Sequence, residues 1–287
     1  MKKLRLGQPR RSFIFTPPLK KDMFIKAINS KADIVCLELE DGISSRDKNK
    51  ARKLALQILK NNRKFNNVEK LIRINSINEV FGLMDIKELL ESDCQPDGIM
   101  IPKVKTAEEI ILLDNLFSEK KLATKFHVII ETNQGLENVH AIAESSNRVE
   151  ALFFGAVDMS AELRCKNKWD SLLFARSKVV HAAASKGIDV IDVPFLDLED
   201  LDAMKVEAIK AKELGFSGKG AIHPKQINVL NSIFTPSKNE IEKAKKIIKL
   251  FESSKSGLVL FEGKLIEKPV LREMYRVLNI ANKVKKK

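Results

Sequence analysis

The chain has 287 residues, 44% hydrophobic and 31% charged, and carries a formal net charge of +13. That composition belongs to a folded globular protein with room for a full core, and no apolar run approaches the roughly 18 residues of a membrane span. The basic start MKKLRLGQPRRSFIF lacks the apolar segment and cleavage site of a secretory signal. Cys36, Cys94 and Cys165 are widely spaced and fit neither a disulfide framework nor a zinc site, so the expected compartment is the cytoplasm.

The positive charge is spread along amphipathic segments such as KNKARKLALQILKNNRK and NEIEKAKKIIKLFESS. It lacks the aromatic interleaving of a single-strand binding groove, so no nucleic-acid partner is expected. The run KVKKK at the end of the sequence reads as a frayed, solvated tail.

In chain order the pattern is strand then helix, repeated. SFIFT (12–16) stops at Pro17-Pro18 and is followed by helical spacing of Met23, Phe24, Ala27 and Ile28. DIVCLELED (33–41) is a near-continuous apolar strand of the kind buried on both faces. A helix over 47–63 leads to the strand KLIRIN (70–75), and a helix over 79–91 leads to DGIMIPK (97–103). A helix over 106–117 leads to FHVIIET, and ALFFG forms the next strand. A helix over 171–186 ends at Gly187 before GIDVIDVP (187–194), and one over 199–213 ends at Gly215 before GKGAIHP (218–224). Eight such units within about 220 residues predict a TIM (β/α)8 barrel rather than an open sheet. No glycine-rich dinucleotide fingerprint follows the first strand. The expected barrel covers residues 1–235. Residues 236–287 read as an extension: a lysine-rich helix over 237–253, a short β pair around Glu262-Gly263, and a further helical segment forming a flap.

In a TIM barrel chemistry gathers where the strands end. Those ends carry Glu40 and Asp41, Arg73 and Asn75, Lys103, Glu131, Asp158, Asp192 and His223. Glu131 and Asp158 close successive strands; two oxygen donors on one rim suit a Mg²⁺ that also holds substrate, while either residue could instead cap the helix after it. Lys103 reads as a Schiff-base nucleophile or as a charge-balancing partner. His223 reads as a general base or, preferably, a satisfied loop histidine. Glu38 shares the face of Glu40 whereas Asp41 points away, and one of Glu40 and Asp41 is expected to hold Arg73. The mixed-charge run DGISSRDKNKAR reads as surface.

The segments RRSFIFTP, ADIVCLELEDGI with KNKAR, IRIN, PDGIMIPKV, IIETNQGL, FFGAVDMSAEL, GIDVIDVPF and GFSGKGAIHPKQI, in that order, span nearly the whole chain. Together they resemble the HpcH/HpaI aldolase and citrate lyase beta-subunit family, in particular its malyl-CoA and citramalyl-CoA lyase branch. The resemblance implies a TIM barrel with a C-terminal flap, assembled as homotrimers or homohexamers. It implies Mg²⁺ held by Glu131 and Asp158, with Arg73 contacting substrate at the metal. Arg11, Lys20 and Lys26 fall where relatives bind the CoA nucleotide. Glu267, in GKLIEKP, stands where relatives usually carry an Asp that enters a neighbouring subunit's site. Pro18 and Arg164 stand where glycines are usual. The implied activity is Mg²⁺-dependent cleavage of a 3-hydroxyacyl-CoA to a 2-oxo acid and acetyl-CoA, with Arg73, Glu40, Asp41 and Glu267 in catalysis. A citrate lyase beta subunit acting on an acyl-carrier-protein thioester and a malyl-CoA thioesterase are the alternatives.

Overall fold

The computed structural model describes residues 9–65, 67–254 and 257–286. Two compact units divide the chain, Arg10–Asn231 and a second unit beginning at Ser232.

The first unit is a closed barrel of eight parallel strands: β1 (Ser12–Thr16), β2 (Ile34–Glu38), β3 (Glu69–Arg73), β4 (Gly98–Ile101), β5 (Lys125–Ile130), β6 (Val149–Phe154), β7 (Asp189–Asp192) and β8 (Gly218–Ala221). Each strand pairs with the next, and β1 pairs with both β2 and β8, so the sheet has no edge. The predicted strands and their order are all present. Phe13, Cys36, Leu71, Met100, Ile129, Ala151, Phe153 and Ile191 form one buried cluster drawn from seven strands, which defines the barrel interior. Phe13 and Phe153 meet edge to face there, with ring centroids 5.1 Å apart.

Because side chains alternate along a strand, this cluster fixes what lies above and below it on the inner face. Two residues towards the N-terminal end are Glu69, His127 and Asp189. Arg10 closes that end: its guanidinium lies 2.7 Å from Glu69, 2.7 Å from Glu150 and 3.1 Å from Asp189. His127 Nε2 is 2.9 Å from Glu69 Oε1. Although burial opposes ionisation, His127 and Arg10 hold the Glu69 carboxyl below its usual range. Two residues towards the other end are Glu38, Arg73 and Glu131. The hydrophobic layer thus separates an ion network that seals the barrel floor from a second set of charges at its mouth.

Two expectations change here. Asp192 does not face the mouth: it alternates outward from Ile191 and is fully buried between sheet and helices. Lys219 Nζ approaches it to 2.6 Å and Arg176 Nε to 3.0 Å, and Lys219 also reaches Glu207 at 2.7 Å. Lys219 and Arg176 outweigh the burial that would raise its pKa and hold the Asp192 carboxyl below the usual value. Arg11, expected near a nucleotide, precedes β1 at the opposite end of the barrel from the predicted rim. Its backbone N–H and its guanidinium bond Asp33, with Nε at 2.8 Å and Nη2 at 2.9 Å.

In the second unit Ser237 and Glu240 form a reciprocal capping box on the helix Lys238–Ser253. A hairpin follows, β9 (Val259–Phe261) with β10 (Lys264–Ile266). Its two-residue turn has Glu262 at φ 49° and Gly263 at φ 74°, the left-handed pair that suits strand twist. The helix Lys268–Lys286 packs against Lys238–Ser253, so the basic run expected to be a frayed tail is helical as far as Lys286. No helix among the described residues is long and apolar enough to cross a membrane.

Lys219→Met would leave Asp192 with Arg176 alone and strand Glu207 against an apolar side chain. Breaking a buried ion network in this way is expected to cost about 3 kcal/mol, read as a lower midpoint in urea unfolding with little change in slope.

Candidate active site

The site at the barrel mouth is built from strand ends that continue the inner face. Glu38 and Glu40 are both nearly fully buried and both hold Arg73: Glu38 Oε2 accepts from Nε at 2.6 Å, and Glu40 Oε2 is 3.0 Å from Nη1. The Arg73 guanidinium carbon lies over the Phe15 ring, 4.5 Å from its centroid. Its Nη2 makes no hydrogen bond to a described residue, which leaves one face of the fork available for a substrate oxygen. Glu40, expected as a partner for Arg73, is one; Glu38 is the other and the closer of the two. Asp41 is exposed and does not touch Arg73; it lies 3.3 Å from Lys103 Nζ.

Lys103 Nζ is also 2.7 Å from Glu40 Oε1. Although partial burial works the other way, Glu40 and then Asp41 hold the Lys103 ammonium above its usual range. That favours the charge-balancing reading over a Schiff-base nucleophile, which needs a depressed pKa. Both Glu40 oxygens sit at ion-pair distance from cations without hydrogen-bond alignment.

Glu131, just past β5, is 3% exposed. The helix cap at this position is its neighbour Thr132, whose hydroxyl accepts from Gly135 N at 2.9 Å. Glu131 is therefore left to face the cavity. Gly155 makes room for it: a Cβ there would lie 2.4 Å from Glu131 Oε2. Asp158 occupies the first turn of the helix Ala156–Glu162, half-buried, and makes no capping bond. Both carboxylates line one cavity of about 520 Å³, together with Ser76, Lys103, Thr132 and Glu162.

Burial first, then the charges of Glu40 and Asp158, push the Glu131 carboxyl up to about 8, against the opposing pull of the Lys103 amide and Arg73. A dication at this point would remove that penalty. The donor set fits Mg²⁺: two hard carboxylate oxygens, with the remaining positions left to substrate and water. No group of three or more candidate ligand side chains is gathered anywhere among the described residues, this site included, so the protein would supply two carboxylates.

The remaining expected residues are not all at this mouth. His223 is exposed and accepts from Lys225 N at 3.1 Å, the loop role preferred for it. Asn75 is buried, with its side chain bonded to Lys48 and Asp85. Lys20 and Lys26 are exposed, in the loop after β1 and on the helix Lys21–Asn29. Glu267 belongs to the second unit, exposed between β10 and the last helix. Arg164 sits at φ 54° just past the helix Ala156–Glu162, donating to Ala161 O while Cys165 N bonds Ser160 O. That left-handed helix-ending position is one glycine fills more cheaply.

The run 41–52, expected at the surface, instead supplies support the sequence did not reveal. Lys48 Nζ donates to the carbonyls of Leu39 and Glu40, at 2.8 and 2.6 Å, and to Asn75. Arg52 bonds Asp85 at 2.6 Å, and Asp85 bonds the backbone and side chain of Asn75. This network ties the loop bearing Glu40 to the one following Arg73. The helical spacing of Lys48 and Arg52 was visible; their buried partners, about 30 residues away, were not.

A sequence model described as HpcH/HpaI aldolase/citrate lyase matches residues 11–224. The chain belongs to this family. Mitochondrial citramalyl-CoA lyase of Mus musculus is 31% identical over 300 residues, covering 97% of this chain and 88% of that protein. The citrate lyase subunit beta of Haemophilus influenzae is 29% identical, covering 95% of this chain and 97% of that one. Among solved structures, CitE from Mycobacterium tuberculosis in complex with magnesium, acetoacetate and coenzyme A superposes with a TM-score of 0.79 at 25% identity. That match covers 96% of this chain and 99% of that one. The family and these relatives are lyases.

If Glu131 must lose a proton to bind metal, apparent Mg²⁺ affinity should rise by up to about tenfold per pH unit below pH 8 and level off above it. The same shift makes the metal-free protein less stable as pH rises from the unfolded carboxyl value towards 8, because the folded state then binds more protons than the unfolded one. Calorimetric titration with MgCl₂ across pH 6–9 checks the slope, and Glu131→Gln should abolish it.

Proposed function

We propose that this chain is a Mg²⁺-dependent carbon–carbon lyase. Its substrate would be a 3-hydroxyacyl-CoA with a neighbouring carboxylate, such as malyl-CoA or citramalyl-CoA. The observation that carries the reading is Glu131, a buried carboxylate held at high free energy by burial, Glu40 and Asp158, on the wall of a cavity it shares with Asp158. Such a pair is suited to hold a hard cation, and Arg73 lies on the adjoining inner face. The match to a citramalyl-CoA lyase over nearly the full length supports the same chemistry.

Glu131 and Asp158 would hold the Mg²⁺, which when bound supplies Lewis-acid polarisation to the substrate's carboxylate and hydroxyl oxygens. Loss of the hydroxyl proton and cleavage of the adjacent carbon–carbon bond yield the 2-oxo acid. The bonding pair passes to the thioester carbonyl as an enolate, which takes up a proton to become acetyl-CoA. The open Nη2 of Arg73 would stabilise that enolate oxygen, with Glu38 and Glu40 fixing the guanidinium beforehand. Glu267, supplied by a neighbouring subunit, is the proposed group for proton transfer at the acetyl carbon, one methylene longer than the usual Asp. Lys20 and Lys26, exposed beyond β1, would meet the CoA phosphates.

A homotrimer or homohexamer is proposed. Leu258, Leu260 and Leu265 on and beside the hairpin are all more than half exposed, which favours burial against another copy. The three free cysteines agree with a cytoplasmic, reducing environment. The match to a citrate lyase subunit beta keeps a carrier-protein thioester as the second reading.

Purified protein with Mg²⁺ should release glyoxylate from malyl-CoA or pyruvate from citramalyl-CoA, and Glu131→Ala should reduce turnover by about a thousandfold or more. Cleavage of carrier-protein thioesters alone would favour the second reading, and free malate as the product would indicate a thioesterase. Leu260→Glu should shift the oligomer to monomer in light scattering.

A further inference from the structure

Lys103 lies in the loop after β4 with φ 54°, a left-handed conformation disfavoured by about five- to thirtyfold for a residue with a Cβ. Such a conformation persists when its surroundings over-determine it, and here both ends of the residue are fixed. Its backbone N–H donates to Glu131 Oε1 at 2.9 Å. Its ammonium lies 2.7 Å from Glu40 Oε1 and 3.3 Å from Asp41 Oδ1, and Glu40 Oε2 lies 3.0 Å from Arg73 Nη1. A chain of contacts therefore runs from Glu131 through Lys103 and Glu40 to Arg73.

We infer that Lys103 is a positioning residue that locks Glu131 and Arg73 into a single arrangement, its backbone amide setting the carboxylate and its ammonium setting the guanidinium through Glu40. The inference rests on reading Glu131 as a metal ligand and Arg73 as the substrate-contacting cation. The two ends do separable things. The amide takes one lone pair of Glu131 Oε1, and Oε2, packed over Gly155, has no hydrogen bond to a described residue. The left-handed turn aims that amide, and the ammonium anchors the turn. The ammonium also shares Glu40, so that Glu38 and Glu40 do not cancel the Arg73 charge between them.

Three variants separate these arms. Lys103→Gly removes the ammonium but adopts the left-handed turn without strain. Lys103→Ala removes the ammonium and keeps the penalty with nothing to hold it. Lys103→Arg keeps a cation. In calorimetric titrations with MgCl₂, Lys103→Ala should bind about fivefold or more weakly than Lys103→Gly. With the thioester that the wild type cleaves, kcat should fall at least about tenfold in both, with a smaller change in KM, and Lys103→Arg should recover most of it. Circular dichroism melts verify that each variant is folded. Equal Mg²⁺ affinity of the Gly and Ala variants would overturn the role of the amide, and unchanged kcat in Lys103→Gly would overturn that of the ammonium. If the wild type cleaves no thioester while the Mg²⁺ ranking holds, the reaction reading fails and the positioning of Glu131 by Lys103 stands.

Discussion

Surplus negative charge at the mouth of a closed barrel is the constraint on which the other features depend. Among the described residues, Glu38, Glu40 and Asp41 pair with Arg73 and Lys103, whereas neither Glu131 nor Asp158 has a cation at ion-pair distance. Such a cluster is costly because the parallel closure that gathers it also dries it: the hydrophobic layer of Phe13, Met100, Ile129 and Phe153 lies directly beneath. The protein spends its two cations on Glu38, Glu40 and Asp41, and leaves Glu131 with an amide as its only hydrogen-bond donor among the described residues. The unmet charge is thereby concentrated where the cavity opens.

The barrel floor shows the opposite solution in the same fold. Arg10 there gathers Glu69, Glu150 and Asp189, and His127 adds a further nitrogen against Glu69. Behind the sheet, Asp192 is flanked by Lys219 and Arg176. These carboxylates are held below their usual pKa values or paired outright, whereas Glu131 is raised. Burial raises Glu38 as well, but Glu38 is paired with Arg73, so the contrast sets paired carboxylates apart from Glu131, which meets an amide alone among the described residues.

Strand order and the convergence of Glu131 and Asp158 on one cavity were legible in the sequence, because a parallel barrel turns apolar runs and their ends into a defined rim. A partner for Arg73 from the Glu40–Asp41 pair was legible for the same reason, but Glu38, the closer partner, was not. Side-chain direction at and beyond the strand ends was legible only in part. Asp192 alternates outward and is neutralised behind the sheet, and Asn75 is turned into the Lys48–Asp85 network. Lys48 and Arg52 look like solvated helix charges until the loops after β2 and β3 close over them. Arg11 sits next to a strand, but at its start, and periodicity alone does not reveal that Asp33 holds it there. The left-handed turn at Lys103 is likewise invisible where no glycine marks it, whereas the glycine usual at position 164 in relatives pointed to the one at Arg164.

The proposed chemistry requires that Glu131 and Asp158 jointly hold a divalent cation beside Arg73. The most direct test is a crystal soaked with a 2-oxo acid and Mn²⁺ in place of Mg²⁺, with diffraction recorded for the manganese anomalous signal. One strong peak is expected at about 2.2 Å from an oxygen of each carboxylate, with the 2-oxo acid completing its coordination on the side facing Arg73. A peak bound elsewhere, or an acid seated away from these two carboxylates, would contradict it.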